Sequence, residues 1–242
     1  AAMARSLDTT TALVTGGARR IGRAICLALA RAGADVVVHA RTSVEDALGL
    51  CHEIESVGRS ARVVTGDLSA EGGPEHVFSA AEAGGPIHLL VNNAAIYPRS
   101  GLAELTAGAL DACHRVNAVA PQTLTRHGEA VVNLLDARML AYDALHLPYQ
   151  LSKATLHALT KLAALEYAPR IRVNGVAPGL ILPPLGMDDS FLERHRRSNP
   201  LETWGSPDAV AEAVIYLLTA EFVTGQVIFV DGGRHLRGEV HG

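Results

Sequence analysis

Tyr149 and Lys153 are the residues best suited to move a proton, because they lie four positions apart in a segment of helical period. Side chains at i and i+4 share one face of a helix, so the two can act together. A free phenol has a pKa of about 10 and exchanges protons poorly at neutral pH. A neighbouring ammonium favours the phenolate and should lower the pKa of the phenol toward the working range. The alternative is an ordinary helix face, since this spacing is common.

A glycine-rich loop lies between a predicted strand and a predicted helix, and it reads Thr15-Gly16-Gly17-Ala18-Arg19-Arg20-Ile21-Gly22. Glycine has no Cβ, so the chain can turn sharply and approach a phosphate closely, and Gly22 lets the helix pack on the strand. Backbone N–H groups at such a helix start bind a dinucleotide pyrophosphate. We therefore expect Gly16, Arg20, Ile21 and Gly22 to contact a dinucleotide cofactor, with a plain tight turn as the alternative.

The segment after the second predicted strand bears on the choice of cofactor. An NAD enzyme places Asp or Glu there against the ribose 2′-hydroxyl. This chain has His39-Ala40-Arg41-Thr42-Ser43 instead, with no carboxylate. Arg41 can pair with a 2′-phosphate, and Thr42 and Ser43 can donate further hydrogen bonds. NADPH is therefore the predicted cofactor, with Arg41 as a solvated surface charge the alternative.

These residues must be positioned by strands and helices that alternate along the chain. Seven short runs rich in Val, Ile and Leu are predicted strands: 11–15, 35–39, 61–65, 89–92, 130–135, 172–177 and 226–230. They show little alternation, which is typical of strands covered on both faces. Helical patterns between them include 21–32, 43–57, 148–167 and 207–219. The pattern predicts an α/β fold: one Rossmann-type, doubly wound domain of about seven parallel strands with helices on both faces.

The ends of the chain and one interruption complete the predicted organisation. Residues 1–10 are expected to be a flexible lead without function, and residues 11–242 a single NADP-binding domain. Pro183, Pro184 and Gly186 break the rhythm before a short helical pattern near 191–197. Residues 180–200 are thus a candidate substrate lid, with a passive surface excursion as the alternative.

Composition narrows the function classes. The 242 residues are 48% hydrophobic and 19% charged, with a formal net charge of −4. No apolar run approaches the roughly 20 residues of a membrane span, and no basic patch suits nucleic acid or anionic lipid. The three cysteines show no Cys-x-x-Cys spacing, and the histidines show no metal-ligand clustering. We expect a cytoplasmic protein with a small-molecule substrate and no metal, nucleic-acid or membrane partner.

Taken together, the ordered motifs resemble the short-chain dehydrogenase/reductase family from about Thr11 to Gly233. Beside the glycine loop and the Tyr149/Lys153 pair, the chain carries Asp67-Leu68, Asn92-Asn93-Ala94, Asn117, Pro178-Gly179 and Val230-Asp231-Gly232-Gly233. The resemblance implies that Tyr149, Lys153 and Asn117 are catalytic and that Lys153 also holds the nicotinamide ribose. It implies further cofactor contacts from Asp67, Leu68, Asn93, Ala94, Pro178, Gly179 and Ile181. Family members commonly assemble as tetramers through the helix that begins at Tyr149, where the small or apolar residues are Ala154, Leu156, Ala158, Leu159, Ala163 and Ala164.

Two departures from the family pattern resemble the pteridine reductases. Arg20 stands where most members have glycine, and Asp136, thirteen residues before Tyr149, stands where most have the serine that binds a substrate carbonyl. In that group the arginine reaches cofactor phosphate and substrate, and the aspartate works beside the tyrosine in protonating the pterin. Reduction of a C=N bond needs such a proton on the ring nitrogen. The alternative for Asp136 is a strand-end cap that accepts backbone N–H bonds.

The substrate side is less regular. Ala95 replaces the serine usual in pteridine reductases, and Tyr97 is the aromatic that can stack on a pterin, with simple packing as the alternative. The resemblance places Arg20, Ala95, Tyr97 and Leu180 beside the substrate. The segment between Asn117 and Asp136 is shorter than the family's helix plus loop. The sequence therefore predicts reduction of a pterin or dihydrofolate-like ring, with a ketone or 3-oxoacyl reductase and a non-catalytic NADP(H)-sensing protein as alternatives.

Overall fold

The computed structural model describes residues 6–139 and 143–237. Their strands are β1 (Thr11–Val14), β2 (Asp35–Ala40), β3 (Ala61–Thr65), β4 (Leu89–Asn92), β5 (Ala130–Leu134), β6 (Arg172–Pro178) and β7 (Val227–Val230). All pair in parallel, in the order β3-β2-β1-β4-β5-β6-β7. The Rossmann-type sheet of about seven parallel strands predicted from the sequence is confirmed, with strand ends within one residue of those predicted.

Helices cover both faces of this sheet. They are α1 (Arg20–Arg31), α2 (Val44–Ser56), α3 (Gly73–Glu82), α4 (Ala107–His114), α5 (Ala120–Thr125), α6 (Leu147–Tyr167), α7 (Ser190–His195) and α8 (Pro207–Thr219). Successive strand residues point to opposite faces. Ala12 and Val14 therefore pack with α1, α2 and α8, whereas Leu13 packs with α3, α5 and α6. Burial on both faces explains why the strands read as unbroken apolar runs.

The strand order reverses between β1 and β4, and this point fixes where a ligand can bind. The two strands are in register at Ala12 and Leu89, and the Thr15 amide donates to the Val91 carbonyl at 3.0 Å. The loops that follow β1 and β4 consequently open side by side. Such a crevice at the carboxyl ends of the strands is the usual ligand site of open α/β sheets.

The segment between Asn117 and Asp136 is indeed compact. Helix α4 runs directly into a π-helical turn, Arg115–Val119, and then into the six-residue helix α5. Residues 126–129 lead into β5, which pairs with β4 on one side and β6 on the other. No described helix has both the length and the apolar character needed to cross a bilayer.

The expected flexible lead needs a correction for residues 6–10. Leu7 is 2% exposed and belongs to the main core, and the Thr10 hydroxyl donates to its carbonyl at 2.6 Å. Burial of a leucine stabilises a fold by about 1.5–3 kcal/mol, so this part of the lead is an integral element. Residues 1–5, and residues 238–242 of the predicted domain, lie outside the described residues.

Candidate active site

A cleft of about 400 Å³ opens at the switch point between β1 and β4. Most of the residues expected to hold a cofactor line it, and so do Arg20 and Ala95 of those expected near the substrate. They are Gly16, Arg20, Ile21, Gly22, Arg41, Thr42, Ser43, Asp67, Leu68, Asn93, Ala94 and Ala95. The cleft thus joins the ends of four strands, β1 to β4, along one edge of the sheet.

The glycine loop forms one wall of the cleft, and its conformation depends on two glycines. Gly16 has a φ of +61°, a left-handed backbone conformation that favours glycine. A Cβ on Gly22 would lie 2.3 Å from the Gly16 carbonyl oxygen, so the close approach of helix and loop requires glycine there. The side-chain Nδ2 of Asn93 donates to the carbonyls of Thr15 and Gly16 at 3.0 and 2.9 Å and holds the loop in place.

The far end of the cleft carries positive charge. Arg41 is half-exposed, with Nη1 3.8 Å from Asp67 Oδ2. Asp67 accepts from the hydroxyl and the amide of Ser69 at 2.6 and 2.8 Å, and these bonds lower the pKa of its carboxyl. Arg41 is therefore only loosely paired and can turn toward an anionic ligand.

Outside the lining of the cleft, Tyr149 and Asp136 meet although they lie on different elements. The Tyr149 hydroxyl donates to Asp136 Oδ2 at 2.9 Å. Burial and the Asp136 charge together raise the pKa of Tyr149 well above its usual value. The expectation that Lys153 lowers this pKa is therefore wrong, because burial and the neighbouring carboxylate both oppose formation of the phenolate.

Lys153 is buried behind Tyr149 on the same face of α6. Its Nζ lies 5.8 Å from the Tyr149 ring centroid and donates to the Leu134 carbonyl at 2.6 Å. Burial lowers the pKa of the ammonium to about 8. The helical spacing therefore brings the pair together as predicted from the sequence, while the backbone of β5 fixes the ammonium.

Arg138 is a site residue that the sequence reasoning missed. Its guanidinium donates to the Tyr97 hydroxyl and to Asp143 Oδ2, both at 3.1 Å, and its Nε lies 3.7 Å from Asp136 Oδ1. The Arg138 amide also donates to Asp136 Oδ1 at 2.7 Å. Asp136 thus caps the strand end with one oxygen and accepts from Tyr149 with the other, while its role in protonating a pterin stays a prediction. The sequence signal that could have identified Arg138 is its position two residues after Asp136, where its backbone amide can reach that carboxylate.

Tyr97 lies beside Tyr149, as expected of a substrate-site aromatic, but one of its faces is covered. It stacks on His146 with ring centroids 4.0 Å apart, and its ring meets that of Tyr149 edge to face at 4.5 Å. Tyr97 therefore packs against His146 and Tyr149 and is still 46% exposed.

Asn117 lies in the π-helical turn and is fully buried. Its Oδ1 accepts from the Ile96 amide at 2.9 Å, and its Nδ2 donates to the Ile96 carbonyl and to the Ser152 hydroxyl at 3.0 and 2.9 Å. The side chain therefore ties the loop after β4 to α6 and acts as a positioning group.

Residues of the expected lid reach the glycine loop. Arg20 donates from Nη2 to the Pro183 carbonyl at 2.7 Å. Leu180 and Ile181 are buried at 8% and 5% exposure, and with Pro178 and Gly179 they stand apart from the lining of the cleft. Leu192 of α7 is also buried, so the segment is packed against the body of the fold.

Comparison with known proteins identifies the family. A family model described as enoyl-(acyl carrier protein) reductase matches residues 16–235. A short-chain dehydrogenase/reductase of Hericium erinaceus is 32% identical over 243 residues, which cover 92% of this chain and 96% of that protein. The chain belongs to the short-chain dehydrogenase/reductase family.

Two further relatives of this short-chain dehydrogenase/reductase have different chemical descriptions. A ketoacyl reductase of the granaticin polyketide synthase of Streptomyces violaceoruber is 35% identical, over 95% of this chain and 97% of that protein. The crystal structure of FolM, alternative dihydrofolate reductase 1 of Brucella suis, in complex with NADP is 34% identical with a TM-score of 0.90, and the match covers 97% and 98% of the two chains. An oxidoreductase fold is common to both, so the choice of substrate depends on the site itself.

Proposed function

We propose that this chain is an NADPH-dependent reductase that acts on a pterin or dihydrofolate-like ring. The observation that supports it is the 2.9 Å hydrogen bond from the Tyr149 hydroxyl to the Asp136 carboxylate. The Brucella suis protein described as an alternative dihydrofolate reductase supports the same substrate class.

The residues of the cleft fit a nicotinamide dinucleotide with a 2′-phosphate. Gly16 and Gly22 let the loop and the start of α1 pack closely beside the cleft where a pyrophosphate would bind. Arg41, Thr42 and Ser43 offer a cation and two hydroxyls at the far end. Lys153 points to the same edge of the sheet and would hold the nicotinamide ribose. When bound, NADPH supplies the hydride.

The protein's own contribution is the proton. Tyr149 is partly buried, and the Asp136 side chain beside it is 19% exposed, so Asp136 can connect the phenol to solvent. A ring nitrogen that gains electrons needs a proton, which Tyr149 can donate and recover through Asp136. Arg138, 3.7 Å from Asp136, holds the carboxylate in place.

A ketone or 3-oxoacyl substrate is the second candidate, favoured by the ketoacyl reductase relative. Its reduction develops an oxyanion, and a carboxylate at the position of the usual serine would repel that charge. The two substrate classes therefore predict opposite behaviour of Asp136 variants.

The deciding experiment measures NADPH oxidation with dihydrobiopterin, dihydrofolate and simple ketones in wild type, Asp136→Ser and Asp136→Asn. We expect the wild type to reduce the pterins, and Asp136→Ser to lose about 10²-fold or more of that activity, the usual contribution of a positioned acid–base group. Wild-type turnover of ketones but not pterins, with Asp136→Ser tolerated, would contradict the pterin assignment. NADP⁺ binding without turnover of any substrate would favour the sensor.

We also propose that the enzyme is a cytoplasmic homotetramer that assembles through α6. Cys26, Cys51 and Cys113 are free thiols, in keeping with a reducing compartment. Of the small and apolar α6 residues noted in the sequence, Leu156, Ala163 and Ala164 are buried in the chain's own core. Ala158 of that set is exposed, and the exposed large apolar residues of α6 are Leu151, Leu162 and Leu165.

A further inference from the structure

His39 occupies an unusual place in the cofactor cleft. It lies on β2 with 2% of its surface exposed, and both of its ring nitrogens have backbone partners. Nδ1 lies 3.2 Å from the Gly16 amide, and Nε2 lies 3.1 Å from the Gly66 carbonyl. The His39 backbone carbonyl also accepts from the Gly17 amide at 3.0 Å. One residue therefore joins the glycine loop, the end of β2 and the end of β3.

The partners determine the tautomer of the ring. The Gly16 amide can only donate and the Gly66 carbonyl can only accept, so Nδ1 must be the acceptor and Nε2 must carry the proton. A protonated ring would turn a second N–H against the Gly16 amide and lose that bond. Burial is the main cause that lowers the pKa of His39 below its usual value, so the neutral form persists at neutral pH.

Charged groups near the ring come from the same strand ends. Asp67 follows Gly66 and favours the protonated form, but its effect is smaller than that of burial. Arg41, two residues after His39, partly offsets Asp67 at 3.8 Å. On α1, Cys26 contacts the Gly17 carbonyl, with burial raising the pKa of its thiol, so it stays neutral.

The hydrogen bonds also show which amides remain for a ligand. His39 takes up the amides of both Gly16 and Gly17. The pyrophosphate must therefore rely on Arg20 and on the free N–H groups at the start of α1. The ring of His39 thus fixes the loop without competing for phosphate, and it sets the distance between this loop and the strand that leads to Asp67.

We propose that His39 is a positioning residue whose neutral imidazole fixes the glycine loop against the ends of β2 and β3, so that protonation of the ring weakens dinucleotide binding. The inference rests on the proposed cofactor. The pKa of His39 in the folded protein lies below its usual value, so the ring is neutral and the bond from the Gly16 amide is intact above about pH 6.5. That bond is lost only when the pH falls through the lowered pKa of the folded protein.

Three variants separate the possible roles of the ring. His39→Asn retains an acceptor near the position of Nδ1 and does not titrate, whereas His39→Phe keeps a planar ring and removes both bonds. His52→Asn, on the exposed face of α2, is the matched control for loss of a histidine. The first readout is the dissociation constant of NADP⁺ from about pH 5 to about pH 8, measured by calorimetry. The second is the imidazole ¹⁵N spectrum of His39 in the protein without cofactor.

We expect His39→Phe to weaken NADP⁺ binding at pH 7.5 by about tenfold, because the Gly16 amide and the Gly66 carbonyl both lose their partner. His39→Asn should bind within about threefold of wild type at the same pH, because it keeps an acceptor for the Gly16 amide. The 2′-phosphate of NADP⁺ itself titrates near pH 6. Wild type and His52→Asn should therefore share a steep loss of affinity on acidification, and His39→Asn should show only the shallower loss caused by the ligand.

Other results would overturn the inference. Identical pH profiles in wild type and His39→Asn would do so, as would a spectrum with the proton on Nδ1 at neutral pH. A purely structural role would lower the melting temperature of both His39 variants and leave the shape of the pH profile unchanged. A wild-type chain that fails to bind NADP⁺ at pH 7.5 would overturn the proposed cofactor instead, while the spectrum would still decide the tautomer.

Discussion

Tyr149, Asp136 and Arg138 show how the chemistry of a site depends on contacts between residues that are distant in sequence. Burial, and after it the charge of the Asp136 carboxylate, raises the pKa of the phenol. The lysine one turn along the helix is engaged by a backbone carbonyl. A phenol in this environment is a poor isolated acid. In the proposed function it is one end of a two-group relay whose other end reaches water through Asp136.

Removing the Tyr149 hydroxyl tests this relay directly. We expect Tyr149→Phe to lower kcat by about 10²- to 10⁴-fold, the range of a positioned acid–base group, because the ring packing remains while the proton donor is lost. The dissociation constant of NADP⁺, measured by calorimetric titration, should change little. Tyr97→Phe, which also removes a phenolic oxygen near the site, is the matched control. A Tyr149→Phe enzyme with more than about a tenth of wild-type kcat would place the proton donor elsewhere.

At this scale the sequence predicted identities better than environments. The i, i+4 spacing correctly placed Tyr149 and Lys153 on one face, since helix geometry alone decides it. The sequence could not predict the partners of Asp136, because they depend on the turn that follows β5 and on where the Arg138 side chain lies. His39 drew no attention for the same reason: both of its partners come from other strand ends.

At the scale of elements, the loop after β1 and the segment 180–200 are joined by one side chain. Arg20 adopts a φ of +56°, in the left-handed region that L-residues rarely occupy, and its guanidinium binds the Pro183 carbonyl. A strained backbone at a functional loop is retained when the side chain has a task that glycine cannot perform. The cost is of order 1–3 kcal/mol, and the observed bond to the Pro183 carbonyl offsets part of it.

Arg20→Gly should therefore separate stability from affinity. Relief of the left-handed strain offsets both the entropy of glycine and the lost bond to Pro183, so we expect a free energy of unfolding within about 1 kcal/mol of wild type. The dissociation constant of NADP⁺ should rise about tenfold, since a charge-assisted phosphate contact is lost. Denaturant unfolding and calorimetry measure the two quantities. Arg23→Ala, which removes an arginine paired with Glu53 outside the cleft, should change neither by as much. A large loss of stability with unchanged affinity would assign Arg20 to the lid contact alone.

Element boundaries were the part of the fold closest to prediction. Pro207, the N-terminal proline of α8, and the Ser206 side chain that accepts from the Ala209 amide explain why that helix begins where the pattern indicated. The lead was misjudged because Leu7 lies in a polar segment with no period, and only tertiary packing against the core identifies it. Single apolar residues of this kind leave no sequence signal.

At the scale of the whole molecule, the parallel order of the sheet followed from the βαβ alternation, because such crossovers leave few other topologies. Assembly is the property least visible in one chain. Leu151, Leu162 and Leu165 are nonetheless suggestive: they lie eleven and fourteen positions apart on α6, which returns them to one side of a helix with 3.6 residues per turn. An exposed apolar strip of this kind on the helix that carries Tyr149 is what a subunit interface would cover.

This arrangement gives the prediction for assembly. Leu165 is 79% and Leu162 is 60% exposed, so charging them removes little from the core of a single chain. The double variant Leu162→Glu/Leu165→Glu places four negative charges in a two-fold contact between two copies of α6, and their repulsion should separate the subunits. Light scattering after size exclusion should then show a mass below that of wild type. Leu48→Glu on α2, at 50% exposure, is the matched control and should leave the mass unchanged. Circular dichroism must show an intact fold in each variant. A double variant with the wild-type mass would mean that subunits, where they assemble, meet through another face, and the exposed residues of α8 such as Tyr216 would be the next to charge.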